Sequence, residues 1–234
     1  MQKPNEKQAV EKGPNLSESI NDFIQKNRKP IFIMAASLLV LLFAVIAAFS
    51  VMDVFRNRAI AAVEELGGRY ETMLPSINEE YSQDDVASFI EELTAFANKN
   101  SGYPGGRAWL LIGGIHTAKK EWPEAEAAYA QAAKSAGKTY LAPLAWFNAG
   151  AAAEEQGKTA EAIGYYGSSL TAPAVFPAAP RAQFAVGRLH ETLNEDEKAI
   201  EAYRAVISNW SYDQVWTNLA RSRIITLETK TGSE

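Results

Sequence analysis

The sequence predicts an all-α protein, an α-solenoid of stacked helix pairs preceded by one transmembrane helix. Three observations predict it. Residues 31–52 form an unbroken uncharged block, several columns of residues recur every 37 positions, and the apolar residues between those columns fall at helical spacing. The averages of the chain conceal this pattern. Its 234 residues are 47% hydrophobic and 22% charged, which excludes a collagen-like or wholly disordered polypeptide. There is no Cys, so thiolate zinc sites, catalytic thiols, disulfides and a lipid-modified N-terminal Cys are all excluded. A net charge of -5 speaks against nucleic acid as the main partner, because phosphate binding needs a basic surface.

Residues 1–30 are a charged cytoplasmic tail. Lys3, Lys7, Lys12, Lys26, Arg28 and Lys29 face Glu6, Glu11, Glu18 and Asp22, six cations against four anions. The tail holds little that can build a core and reads as flexible and solvated. Leu16, Ile20, Phe23 and Ile24 do have helical spacing. They fit either a short interfacial helix or a frayed juxtamembrane turn, and the frayed turn is the preferred reading.

Residues 31–52 (IFIMAASLLVLLFAVIAAFSVM) are the transmembrane helix. At ~1.5 Å per residue they reach roughly 33 Å, enough for a ~30 Å hydrocarbon core. A soluble core helix would be interrupted by polar residues. A cleavable signal peptide usually has an apolar region of only ~7–15 residues. Lys26, Arg28 and Lys29 abut the span, so positive-inside logic places the N-terminus in the cytoplasm; Arg56 and Arg58 weaken that bias without reversing it. The remaining residues, 53–234, carry 17 basic and 24 acidic side chains, a net of -7.

Residues 53–104 form a linker helix and a degenerate first repeat. One helix is expected over Ala59–Leu66, stopped by Gly67-Gly68, and another from a capping box at Ser82–Asp85 to about Lys99. Residues 105–211 contain three repeats. Gly113, Gly150 and Gly187 are 37 apart, as are Ala125, Ala162 and Ala199, and Tyr129, Tyr166 and Tyr203. Each copy reads as two amphipathic helices, with breaks near Lys119–Trp122, at Gly157 and at Asn194. The glycines and alanines are expected to let the two helices of a pair approach closely, and the tyrosines to fill the gap toward the next pair. Residues 212–234 hold a closing helix, Asp213–Leu227, whose Val215, Trp216, Leu219 and Ile224 should cover the last apolar edge.

Few residues suggest chemistry. His116 and His190 occupy the same repeat position two periods apart, too distant to share a metal and without a third nitrogen ligand. Gly137-Lys138-Thr139 and Gly157-Lys158-Thr159 imitate the end of a phosphate loop, but Ala132 and Ala152 stand where its first Gly is needed. Ser135 and Lys138 match an acylating Ser-Lys motif only as a bare four-residue pattern. Glu64-Glu65 and Glu154-Glu155 read as solvated helix faces. Neither an enzymatic activity, a metal nor a cofactor is therefore expected. The surface suited to function is the groove formed by the first helices, where Arg107, Leu110, Leu144, Phe147, Asn148, Arg181, Phe184, Arg188 and Glu191 are placed by register. Leu110, Phe147 and Phe184 would anchor apolar groups, and Arg107, Arg181 and Arg188 would meet carboxylates.

The columns around Trp109-x-x-Ile112-Gly113, Ala125 and Tyr129 resemble the tetratricopeptide repeat. That resemblance implies helix pairs and a protein-binding groove. The third copy departs from it with Gln183 in place of Trp, and the period exceeds the common 34 by three residues, assigned to links such as Thr171–Pro180. The full layout of tail, span and repeats, together with Phe96–Tyr103 leading into Trp109, resembles the YfgM-type ancillary subunits of the bacterial Sec translocon. This second resemblance implies an inner-membrane protein with periplasmic repeats and with translocon subunits, chaperones or exported proteins as partners. The alternatives are a scaffold for another envelope or division complex, a cytosol-facing receptor if the topology is reversed, and an accessory subunit of a membrane enzyme.

Overall fold

A computed structural model describes residues 16–77, 81–172 and 175–231. The chain forms two compact units, residues 1–55 and 56–234. The described residues form ten α-helices.

The first unit holds α1 (Leu16–Lys26) and the opening part of α2, a helix of 46 residues (Arg28–Met73). The preferred frayed turn at 16–24 is replaced by a regular helix. Its apolar residues recur at helical spacing, and no Gly or Pro interrupts them before Pro30. Helix α2 contains a segment long and apolar enough to cross a membrane, and none of that window is buried. Leu38, Phe43 and Phe49 are each more than 60% exposed. Pro30 is tolerated because it occupies the first turn of α2, where its missing N–H has little consequence.

The second unit begins with the rest of α2. The expected stop at Gly67-Gly68 does not occur, and the helix continues to Met73 before a 3-10 turn at Leu74–Ser76. Gly in a helix interior costs ~1 kcal/mol. Here Val63, Leu66 and Met73 are buried in one cluster with Val86, Phe89 and Leu93, and that burial outweighs two glycines. Helix α3 (Gln83–Lys99) starts at the expected capping box: the Asp85 N–H donates to Ser82 Oγ at 3.1 Å and the Ser82 N–H to Asp85 Oδ2 at 3.2 Å.

Three helix pairs follow: α4 (Gly102–Ala118) with α5 (Trp122–Ala136), α6 (Leu141–Glu155) with α7 (Thr159–Thr171), and α8 (Ala179–Thr192) with α9 (Asp196–Asn209). Each helix packs on the next, and the first helices α4 and α6 also touch. Ala125, Ala162 and Ala199 are each 0% exposed. The glycine column works differently from the expectation. A Cβ at Gly113, Gly150 or Gly187 would stand 2.5, 2.9 or 2.6 Å from the ring of Tyr129, Tyr166 or Tyr203. The tyrosines thus fill space inside their own pair, and the missing Cβ leaves room for the ring.

The turn within each pair also repeats. Lys120, Gly157 and Asn194, 37 apart, all have positive φ, at 58°, 71° and 57°. In each turn the next residue's N–H returns to the first helix: Glu121 to His116, Lys158 to Ala153 and Glu195 to His190, at 2.9, 3.0 and 2.9 Å.

Helix α10 (Gln214–Thr231) packs on α9 and α8. Its buried face is Thr217, Ala220 and Leu227, with Trp216 and Ile224 alongside. Val215 and Leu219, expected in that contact, point outward instead. The 3.6-residue period that buries Thr217, Ala220 and Leu227 turns Val215 and Leu219 away from α9.

Candidate partner-binding groove

Phe147 on α6 and Phe184 on α8 are one period apart, and each ring lies on its own pair's tyrosine. The centroids are 5.3 Å apart for Phe147–Tyr166 and 5.0 Å for Phe184–Tyr203. Phe184 also meets Trp216 of α10 at 5.4 Å. Between these rings opens a cavity of about 320 Å³, with Arg181 and Arg188 of α8 and Glu154 of α6 on its wall. The Arg181 guanidinium sits 5.1 Å from the Phe147 ring centroid, a cation–π arrangement. No ion pair to Arg181 is found among the described residues.

A polar column underlies the rings. Thr117, Glu154 and Glu191 are 37 apart, and each bonds its pair's tyrosine hydroxyl. The distance is 3.0 Å from Tyr129 to Thr117 and 3.0 Å from Tyr166 to Glu154, and Tyr203 donates to Glu191. The two glutamates also bind an arginine from the following first helix: Arg188 reaches Glu154 at 2.5 Å, and Arg223 of α10 grips both oxygens of Glu191. Burial, followed by the neighbouring Glu154 carboxylate, pushes the Tyr166 hydroxyl well above its usual 10.0. Burial and then Glu191 do the same at Tyr203. Burial acts to raise Glu191, but hydrogen bonds from Arg223 and Tyr203 outweigh it and hold the carboxyl below 4.5.

A second cavity of about 240 Å³ adjoins the first. It shares Ala151 and Glu155 with it and is otherwise lined by Thr117, Trp122, Tyr129, Asn148 and Ala152. Phe147, Arg181, Phe184 and Arg188 of the expected groove set therefore share one cavity, and Asn148 lines its neighbour. Glu191 is tied to Tyr203 and Arg223 beside them. Three expected groove residues lie elsewhere. Leu110 is buried in the cluster joining α4, α5 and α6, and Leu144 packs against it. Leu110 shares a repeat column with Phe147 and Phe184, but its shorter side chain ends inside that cluster. Arg107 turns toward α2, where its Nη2 would be 3.4 Å from a Cβ at Gly67.

Glu154, Tyr166 and Trp216 of the cavity were not foreseen. The 37-residue spacing of Glu154 and Glu191 would have exposed the first of these. Trp216 follows Phe184 by 32 residues and escapes the register.

Of the remaining polar candidates, both histidines and Lys158 have structural partners. His116 Nδ1 lies 2.7 Å from Glu121 and His190 Nδ1 2.6 Å from Glu195, bracing the turns of the first and third pairs. Among the described residues no group of three or more His, Asp or Glu is arranged to hold a metal. Gly137 caps α5, and Lys158 belongs to a bridge between pairs. There, Glu126 of α5 accepts from Gln156 and Lys158 at 2.8 Å each and from Tyr165 at 3.0 Å. Burial acts to raise Glu126, but these three donors outweigh it and hold the carboxyl below 4.5.

Three overlapping stretches, residues 80–140, 119–174 and 170–213, match the family model described as tetratricopeptide repeat. A TPR repeat-containing protein of Treponema pallidum (strain Nichols) is 31% identical over 183 residues, covering 77% of this chain and 73% of that protein.

Proposed function

Because the chain belongs to the tetratricopeptide-repeat family, we propose that it is a membrane-anchored adaptor that holds a protein partner in the cavity between α6, α8 and α10. The observation that carries this reading is Arg181. A cation stacked on Phe147, facing Phe184 and Trp216, and with no carboxylate of its own among the described residues, is arranged to receive an acidic group beside an apolar side chain. Arg188, already engaged by Glu154, shapes the wall. The partner is thus an extended segment or helix with a carboxylate next to an aromatic or aliphatic residue. Members of this family are typically non-catalytic interaction scaffolds.

The anchor is the apolar part of α2, with the N-terminus in the cytoplasm and the helix pairs in the periplasm of a bacterial inner membrane. The resemblance to YfgM-type subunits supports the Sec translocon, periplasmic chaperones or exported proteins as partners. The test is in-cell photocrosslinking from position 184, with and without Arg181→Glu, combined with protease digestion of spheroplasts. Crosslinks to translocon subunits, chaperones or exported proteins that disappear with Arg181→Glu support the proposal. Crosslinks that persist unchanged overturn the role of Arg181. Repeats protected from external protease overturn the periplasmic assignment and favour a cytosol-facing receptor, and crosslinks only to envelope or division proteins favour the scaffold alternative.

A further inference from the structure

We propose that α1 lies in the plane of the membrane surface, its apolar face in the headgroup–acyl boundary of an anionic bilayer. This rests on the reading of α2 as a membrane anchor. Leu16, Ile20, Phe23 and Ile24 are 81, 52, 63 and 49% exposed and form one stripe at positions i, i+4, i+7 and i+8. Asn21, Asp22 and Gln25 occupy the opposite side of the helix. Among the described residues no side chain covers the stripe, and four large apolar groups in water are unfavourable.

The junction with α2 holds the weak point at which such a helix turns from the span. Pro30 has no N–H to give to the Lys26 carbonyl, so the hydrogen-bond ladder is interrupted at the point where α1 ends. On either side the helical bonds persist: Asn27 donates both its N–H, at 3.0 Å, and its side-chain amide, at 2.9 Å, to the Phe23 carbonyl, and the Ile31 N–H donates to the Asn27 carbonyl at 3.0 Å. Lys26, Arg28 and Lys29 cluster at this junction, where the uncharged block begins. Such cations are attracted to the negative surface of an anionic leaflet.

Lipid is the occupant that this geometry favours. An isolated helix of 11 residues is too short to be stable by itself in water. Tethered next to a span, it meets an apolar boundary at every moment and requires no second protein chain. Two copies packing through the same stripe would have to order both helices first.

The chain has no Cys, so single labelling sites can be introduced without removing others. An environment-sensitive fluorophore is attached to Phe23→Cys, Gln25→Cys or Leu41→Cys in the full chain, reconstituted in phosphatidylcholine–phosphatidylglycerol vesicles. A shallow lipid-borne quencher should act at least about threefold more strongly at position 23 than at position 25. Aqueous iodide should show the reverse order, and position 41 should respond only to a deep lipid quencher. Equal iodide access at 23 and 25, or position 23 shielded from both quenchers, with 41 still in lipid, overturns the proposal alone. Position 41 open to iodide overturns the anchor as well.

Discussion

The ring of Tyr203 occupies the space that a side chain at Gly187 would need: a Cβ there would stand 2.6 Å from the ring's Cε1. Gly164, one helix away, has nothing within 4 Å of its would-be Cβ. The two glycines should therefore respond to Ala in opposite directions. Gly164→Ala gains helix propensity and should stabilise by ~0.5–1 kcal/mol. Gly187→Ala should destabilise by ~1–3 kcal/mol through overpacking, and Gly187→Ala with Tyr203→Leu should recover part of the loss. Urea unfolding measures both; a Gly187→Ala protein as stable as the parent would contradict the packing described.

Lys120 holds the left-handed position that Gly157 and Asn194 hold in the other two turns. A non-Gly residue there costs about 1 kcal/mol or more. Lys120→Gly should raise stability by up to ~1 kcal/mol, whereas Lys120→Val should lower it. Thermal unfolding of the two variants gives the sign directly.

Glu126 joins the first two pairs by accepting from Gln156, Lys158 and Tyr165. Glu126→Ala leaves part-buried donors without an acceptor and should cost ~1–3 kcal/mol. Combined with Lys158→Ala, the losses should be less than additive. Strict additivity in a double-mutant cycle would mean that the bridge carries no coupling.

Stability should form a plateau bounded by two sets of groups. Glu126 and Glu191 titrate below 4.5 in the folded chain, so the unfolded chain binds protons first as the pH falls. Their contribution is complete above 4.5 and is lost as the pH drops through the lower folded values. Tyr166 and Tyr203 titrate above 10.0 when folded, so their contribution is complete below 10.0 and is lost as the pH climbs toward the folded values. Urea midpoints across pH should show both limbs. Glu191→Gln should flatten the acid limb, and an unchanged limb would exclude Glu191 as its source.

The helix pairs were legible because their determinants are local and repeated. Gly, Ala and Tyr at constant spacing each answer a packing need that recurs in every copy, and the capping box at Ser82 is complete within four residues. The continuation through Gly67-Gly68 was not legible, because it depends on Val63 and Met73 meeting Phe89 and Leu93 from a different helix. In the groove, register placed Phe147, Phe184, Arg181 and Arg188 together. It did not show that Leu110 stops within the core or that Arg107 turns to α2. Those outcomes depend on side-chain length and on neighbours outside the repeat.

The bridge at Glu126 also limits how far the pairs can be treated as interchangeable cassettes. Excising residues 150–186 would splice Ala149 onto Gly187 and keep every column in phase. Phe147 would then meet Tyr203 as Phe184 now does. Glu126, however, would find Leu193, Glu195 and Ala202 where Gln156, Lys158 and Tyr165 now stand, a like charge in place of a cation. Inside each pair the chemistry is generic, whereas the seam between the first and second pairs is keyed. That seam, rather than the repeat itself, dictates the order in which the pairs are strung.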